Sequence, residues 1–419
     1  MPSAGGDVTT ERAEPTPVVV ASTRRPELDA IRTLVVIGLV FFHASLVFDT
    51  RDDFYVKNAQ TTELTTIISG LCVVWAMPIL FLIAGLGAWH SLRRRGSGGF
   101  AVERLLRLGV PLVVATLTII PVPQWLRLRT DPDYHESYLS FLPRFFDVHL
   151  DLTDFPFVLA GEHFETGHLW FVVLLLTYAL LLALAARWLP SAPIGRVRER
   201  IATSVRRRGM VLLPAVPVAL ISAFAGLEEP MAGWSRWAYL LFFLYGFTLA
   251  CDERFRSAFR RDAGLAAVIG LVLLLIGMPA FLIAGEMQDV DPFTALTPLA
   301  IGARTFYGAT GWCFLVAITG LLDRRRTRTA VVPERPEGEA PRVSRVRRIY
   351  VYLVAAALPF YVLHQPILVG VAYEVVRWDA PSLLKYVVIV AASMALTIAA
   401  YDLLVRRVRV VRLLLGVRG

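Results

Sequence analysis

The chain has 419 residues, of which 56% are hydrophobic and 18% are charged, against about 45–50% and about 25% in an average soluble domain. This composition excludes an ordinary soluble enzyme. The 43 basic and 34 acidic residues give a formal net charge of +9. Such a charge is compatible with a nucleic-acid partner until the positions of the charges are known.

Long apolar runs recur along almost the whole chain. Each has about 18 to 25 residues, the length that a helix needs to cross a hydrocarbon layer about 30 Å thick. The sequence therefore predicts an all-α, polytopic integral membrane protein with about ten transmembrane helices. The predicted spans are residues 31–48, 65–89, 105–122, 168–188, 210–226, 237–251, 263–285, 304–322, 349–376 and 383–405.

The charges lie unequally on the two sides of these spans. With a cytoplasmic N-terminus, the basic residues divide as 34 inside and 9 outside, and the acidic residues as 15 inside and 19 outside. Every inner loop is rich in arginine, as the positive-inside rule requires. We therefore expect both termini in the cytoplasm and a multi-pass protein of the cell (plasma or inner) membrane. The membrane lipid explains the basic excess, and no nucleic-acid partner is expected.

The segments outside the spans differ in composition. Residues 1–23 lack the pattern of a signal peptide and are predicted to be a disordered cytoplasmic tail. Within the membrane domain, residues 24–405, the outer connection 123–167 is rich in aromatic and acidic residues, which suits a lid over a cavity. The proline-containing, charged segment 323–348 is predicted to be a cytoplasmic linker, and residues 406–419 a basic cytoplasmic tail.

Two histidines stand out because titratable side chains are costly inside hydrocarbon: His43 and His364. Arg32 precedes His43 by eleven residues, which is three helical turns plus roughly 20°, so the two share one face about 16 Å apart. Apolar surroundings favour the neutral imidazole that a general base needs. By position alone, His43 is equally compatible with a bond to a neighbouring helix, and Arg32 with an anchor at the membrane surface.

Four strings, in order along the chain, resemble motifs of the acyltransferase family 3 membrane proteins. The third of them is similar to the branch that includes the glucan-modifying protein C type. The likeness extends from residue 24 to about residue 405. The strings are Glu27-Leu28-Asp29-Ala30-Ile31-Arg32 followed by His43, Phe100 to Pro111 with Arg104 and Arg107, His168-Leu169-Trp170-Phe171, and Tyr361-Val362-Leu363-His364-Gln365-Pro366.

The resemblance implies an O-acyltransferase that uses cytoplasmic acyl-coenzyme A, with acetyl or succinyl as the acyl group. The acceptor would be a hydroxyl of a carbohydrate or glycoconjugate at the outer side. It implies that His43 is a general base or a transient acyl carrier, assisted by Arg32. It also implies that Arg32, Arg104 and Arg107 bind the phosphates of the donor, although Arg104 and Arg107 also suit inner-face anchors.

Further residues of these strings are assigned to substrate binding. His168 and Trp170, at the outer mouth of the fourth span, combine a polar tip with an aromatic face, which suits a sugar; an interfacial aromatic belt is the alternative. The same resemblance places Glu27 and Asp29 among the substrate-binding residues. The segment from Glu162 to His168 contains two histidines, His163 and His168. Their spacing of five residues is not a recognised zinc pattern, so no metal is expected.

His364 lies between Pro359 and Pro366, and such prolines free backbone carbonyls in a helix. We therefore expect His364 either to line the same cavity as His43 or to satisfy one of the freed carbonyls.

A multi-span transporter, or a flippase for a lipid-linked sugar or small molecule, is the alternative class of function. Ten spans and broken helices are typical of secondary transporters. The predicted spans contain no Asp or Glu near their middle, whereas ion-coupled carriers normally use such a carboxylate. A membrane scaffold would leave the pairing of Arg32 with His43 unexplained. The oligomeric state is left open.

Overall fold

The computed structural model describes residues 26–51, 53–188, 191–329 and 345–417. This part of the chain is almost entirely helical. In chain order its α-helices are α1 (Pro26–Leu46), α2 (Glu63–Arg104), α3 (Val110–Thr118), α4 (Pro121–Leu128), α5 (Tyr138–Phe145), α6 (Trp170–Trp188), α7 (Ser191–Ser204), α8 (Ala215–Phe224), α9 (Arg236–Cys251), α10 (Glu253–Glu286), α11 (Pro298–Thr329), α12 (Arg345–Val375), α13 (Ser382–Ala400) and α14 (Arg409–Leu414).

Several helices begin at side chains that cap them. Thr62, Ser235 and Asp252 accept hydrogen bonds from backbone N–H groups in the first turns of α2, α9 and α10, which satisfies donors that a helix leaves free. Helix α2 bends at Gly96, whose φ of 70° is open to glycine at little cost. A π-helical segment, Leu105–Gly109, then joins α2 to α3.

Among the described residues, seven helical stretches are long and apolar enough to cross a membrane, so the fold is that of a multi-pass membrane protein. One of them, Glu63–Leu128, contains two of the predicted spans. Helices α8 and α9 have 10 and 16 residues and reach only about 15 and about 24 Å, which is short for a full crossing. The number of ten spans and the cytoplasmic termini therefore remain predictions.

Helix α1 packs against α2, α12 and α13, and α2 packs against α6 and α9. The α2 and α9 backbones approach very closely, because a Cβ placed on Gly85 would lie 1.9 Å from the Phe243 carbonyl oxygen and one on Gly246 would lie 1.9 Å from that of Leu82. Close contact through small residues is typical of helix packing in membranes. This core fixes the helices that carry His43, His168 and His364.

The predicted lid, residues 123–167, is folded. It contains most of α4, helix α5 and a small antiparallel hairpin of β1 (His149–Leu150) and β2 (Leu159–Ala160). Its aromatic side chains Phe141 and Phe145 are fully buried, so the apolar content of the segment forms a small core. Helices α11 and α12 extend into the range predicted as a linker, and residues 1–23 and 330–344 lie outside the described residues.

Candidate active site

Three histidines from three different helical segments meet in the core. His43 lies near the end of α1, His364 in the middle of α12, and His168 in the 3-10 turn Gly167–Leu169 before α6. Nε2 of His364 lies 3.1 Å from Nδ1 of His43, and the His168 and His364 ring centroids are 5.1 Å apart. The exposed fractions are 8%, 0% and 5% for His43, His364 and His168. The geometry therefore brings together residues that are far apart in sequence.

The third and fourth sequence strings are hydrogen-bonded to each other through His168. Pro366 has no N–H, so the carbonyl of Val362, four residues earlier, lacks its helical donor. His168 Nε2–H donates to that carbonyl at 3.1 Å, its backbone N–H donates to Gln365 Oε1 at 3.1 Å, and the Tyr361 hydroxyl donates to the His168 carbonyl. The carbonyl freed by proline is thus satisfied by His168 and not by His364.

A cavity of about 1470 Å³ adjoins the histidines. His43 and His168 are on its wall, with Trp75, Trp170 and Phe157 among the aromatic side chains around it. The cavity extends from α1 and α2 to the connection 123–167 and to the loops that follow α8 and α10. The Trp170 ring is held nearly parallel to that of Tyr239, with centroids 5.4 Å apart. The volume of the cavity is ample for a ligand of several rings.

Carboxylates outnumber arginines on the cavity wall. Each wall arginine is already paired: Arg51 Nε lies 3.3 Å from Glu63 Oε2, Arg127 pairs with Asp53, and Arg236 Nη2 lies 2.7 Å from Asp154 Oδ1. The cavity therefore has a surplus of negative charge. The wall carboxylates are Asp53, Asp151, Asp154, Glu165, Glu228, Glu229 and Asp291.

Two of these carboxyl groups have raised pKa values. Burial raises the pKa of Glu165, against the opposing effects of the Tyr55 hydroxyl, which donates to it, and of the Arg127 charge. Burial and the neighbouring carboxylates of Asp291 and Asp53 raise the pKa of Glu229. Like charges held close together disfavour ionisation, so this part of the wall favours an incoming cation or hydrogen-bond donor.

The arginines of the first two strings lie apart from this cavity. Arg32 Nη2 lies 3.0 Å from Asp29 Oδ1 on its own helix. Arg104 Nε and Arg107 Nη1 lie 3.6 and 3.9 Å from the carboxylate of Glu103, which is buried and accepts a hydrogen bond from Ser91 Oγ.

A family model described as an acyltransferase domain, that of acyltransferase family 3, matches residues 25–402. The chain belongs to acyltransferase family 3. No curated protein and no solved structure compared with it matches. The match makes this chain an acyltransferase and favours the enzyme over the transporter or flippase. The glucan-modifying branch remains a prediction.

The predicted site residues of the acyltransferase fall into three groups according to their position relative to the cavity. His43, His168 and Trp170 are on the cavity wall. His364 is fully buried behind His43 and outside the described lining, so its place differs from that of His168 and Trp170, which were also predicted to bind substrate. The third group lies toward the start of α1 and the end of α2 and is outside that lining: Glu27, Asp29, Arg32, Arg104 and Arg107.

Sequence reasoning missed some residues that shape the acyltransferase site. Tyr361 and Gln365 lie inside a quoted string, but their contacts with His168 depend on tertiary packing. Arg304, fully buried, donates five hydrogen bonds to four backbone carbonyls, two near the end of α8 and two in the loop between α10 and α11. In the sequence, the only sign of these hydrogen bonds was a lone arginine at the start of a predicted span.

Proposed function

We propose that this acyltransferase moves an acetyl or succinyl group from cytoplasmic acyl-coenzyme A to a hydroxyl of an extracytoplasmic carbohydrate or glycoconjugate. The protein would act in the plasma or inner membrane. The observation that carries the proposal is the place of His43, whose imidazole is hydrogen-bonded to a second histidine on one side and lies on the wall of a large cavity on the other.

This place suits acid–base chemistry on a hydroxyl. The imidazole of His43 accepts the hydroxyl proton while the hydroxyl oxygen attacks the thioester carbonyl carbon. The carbon–sulfur bond then breaks, and the coenzyme A thiolate takes up the proton from His43. An acyl-imidazole intermediate on His43 would reach the same products in two steps. Either path needs a neutral imidazole, and the buried surroundings of His43 favour that form.

The donor would be held by Arg32, Arg104 and Arg107. Arg32 and Arg107 keep 32% and 45% of their side chains exposed, so both remain accessible to an anion. The fork of a guanidinium matches a phosphate through two parallel hydrogen bonds. Since Arg32 and His43 lie about 16 Å apart along α1, the donor would enter with its phosphates at the arginines and its thioester extended toward His43.

The acceptor would occupy the large cavity. Trp170 offers an aromatic face for a sugar ring, and His168 lies on the same wall. The surplus of carboxylates supports a neutral or amine-bearing acceptor over an anionic one, because like charges across a binding site are strongly disfavoured. A glucan is consistent with this charge.

The experiment measures transfer of labelled acetyl or succinyl from acyl-coenzyme A to neutral oligosaccharides by purified protein in lipid nanodiscs. We expect His43→Ala to lower the rate by about 10²- to 10⁴-fold, the usual contribution of a general base, while leaving thermal unfolding unchanged. The matched control is His135→Ala, which removes an exposed loop histidine. Transfer by His43→Ala at the wild-type rate would contradict the proposal.

A further inference from the structure

The hydrogen bonds around His364 determine which of its nitrogens carries the proton. Its Nδ1 lies 2.6 Å from the backbone carbonyl oxygen of Tyr361. A carbonyl oxygen only accepts, so Nδ1 of His364 must be the protonated nitrogen. In the neutral ring Nε2 is then a bare acceptor, and it is Nε2 that faces His43.

The protonation state of His43 follows from that of His364. The 3.1 Å separation between His364 Nε2 and His43 Nδ1 is a hydrogen-bond distance. Because His364 Nε2 has a lone pair and no proton, His43 Nδ1 is the donor. The ring planes are nearly parallel, at 11°, with centroids 5.0 Å apart. In neutral His43 the second nitrogen, Nε2, is therefore unprotonated.

We infer that His364 is a positioning residue that selects Nε2 of His43 as the basic nitrogen for acyl transfer. The inference rests on the proposed function and extends it to a residue that is off the cavity wall. Without His364, His43 is free to adopt the other tautomer, whose Nε2 carries a proton and accepts none. In many enzymes the tautomer of a reactive histidine is fixed in this way, by the hydrogen bond that its other ring nitrogen makes.

The pair also stabilises the charge that develops on His43. When Nε2 of His43 takes the proton of the acceptor hydroxyl, the ring becomes an imidazolium that still donates from Nδ1 to His364. The partner here is a neutral imidazole, whereas a carboxylate is the more common one. The buried site therefore never holds an unpaired anion before the substrate arrives, which limits the cost of desolvation.

His168 has the opposite arrangement. Its Nε2–H donates to the Val362 carbonyl, so Nδ1 is its acceptor nitrogen, and its ring meets that of His364 edge-on at 80°. It therefore leaves the hydrogen bond between His364 and His43 intact. The position of His364 is itself fixed, because the residue is fully buried in α12 and its ring lies parallel to that of Phe360, with centroids 6.4 Å apart.

The first test compares His364→Gln with His364→Leu in the transfer assay. The Gln amide oxygen can take the place of His364 Nε2 and accept the hydrogen bond from His43 Nδ1, whereas Leu fills similar space without an acceptor. We expect His364→Leu to lower kcat about 100-fold with both KM values within about 2-fold of wild type, and His364→Gln to recover about 10-fold of that loss. Wild-type kcat in His364→Leu, or equal loss in both variants with raised KM values, would overturn the inference.

The second test observes the tautomer directly and does not depend on activity. Nitrogen-15 NMR of histidine-labelled protein in nanodiscs separates protonated from unprotonated ring nitrogens, and His43→Gln assigns the His43 signals among the seven histidines of the chain. We expect an unprotonated Nε2 in His43, and a mixture of tautomers in His364→Leu. A protonated Nε2 in neutral His43 of the wild type would refute the inference even if acyl transfer were confirmed. Absence of transfer with the expected tautomer would refute only the proposed function.

Discussion

The two ends of the Arg32 to His43 segment of α1 differ in both burial and hydrogen bonding. At the arginine end, the side chains of Arg32 and Arg107 are 32% and 45% exposed, with carboxylates of neighbouring positions beside them. At the histidine end, His43 and His364 are at most 8% exposed and bonded to each other. Exposed cations suit the capture of a charged donor, and a buried, preorganised pair suits chemistry. Under the proposed function, donor binding near Arg32 and acyl transfer at His43 would be separated along α1.

At the arginine end, the largest expected effect is on donor binding. Removing both charges in Arg104→Gln with Arg107→Gln should raise the KM for acyl-coenzyme A by roughly 100-fold or more, because each hydrogen bond to a charged group contributes about 1.5–3 kcal/mol. We expect kcat at saturating donor to stay within about 2-fold of wild type. The measurement is the donor titration of the transfer rate.

The matched control for the arginine variant is Arg94→Gln, which removes an exposed cation of α2 just before the bend at Gly96 and should leave the donor KM unchanged. If the double variant bound the donor as well as the wild type does, Arg104 and Arg107 would be anchors of the membrane surface. A loss of kcat without a change in donor KM would contradict the proposal that the arginines bind the donor and take no part in the acyl transfer itself.

The smallest effect concerns the carboxylates of the cavity. Burial and the charges of Asp291 and Asp53 raise the pKa of Glu229. The side chain is negatively charged above its pKa and loses this charge as the pH falls. Because the pKa is raised, the loss occurs at a higher pH than for an ordinary glutamate. We expect the KM for an amine-bearing acceptor to rise about 3-fold through this range in the wild type. The measurement is the acceptor titration at a series of pH values.

Glu229→Gln is the control, because its acceptor KM should lose that pH dependence and should equal the low-pH value of the wild type. A neutral oligosaccharide should show little change in either protein. If the amine-bearing and neutral acceptors responded alike, the cavity charge would have no part in acceptor selection.

Much of the fold was predictable from the sequence, because hydrocarbon imposes a long apolar helix on every span. The signal was weaker where a helix is short: α8 was predicted as a span over residues 210–226, yet its regular helix has 10 residues after a 3-10 turn. The folded core of the connection 123–167 was also not predicted, since α4 and α5 have only 8 residues each and their packing depends on tertiary contacts.

The site was predictable in its parts but not in its assembly. His43, His168 and His364 each attracted attention as titratable or aromatic residues in apolar segments. Their contacts depend on how α1, α6 and α12 pack, and on Pro366, which frees the carbonyl that His168 binds. Sequence spacing carries no information on such contacts between helices. The hydrogen bond between His43 and His364 is therefore a result of the structure.

The most direct test of the central claim is a transfer assay with the two substrates on opposite sides of a membrane. The protein is oriented in sealed vesicles with the arginine-rich loops outward, labelled acyl-coenzyme A is added outside, and a neutral oligosaccharide acceptor is enclosed. The account predicts acylated oligosaccharide inside the vesicles with the wild type, and a loss of about 10²-fold or more with His43→Ala. Label that stays outside, or equal transfer by both proteins, would contradict it.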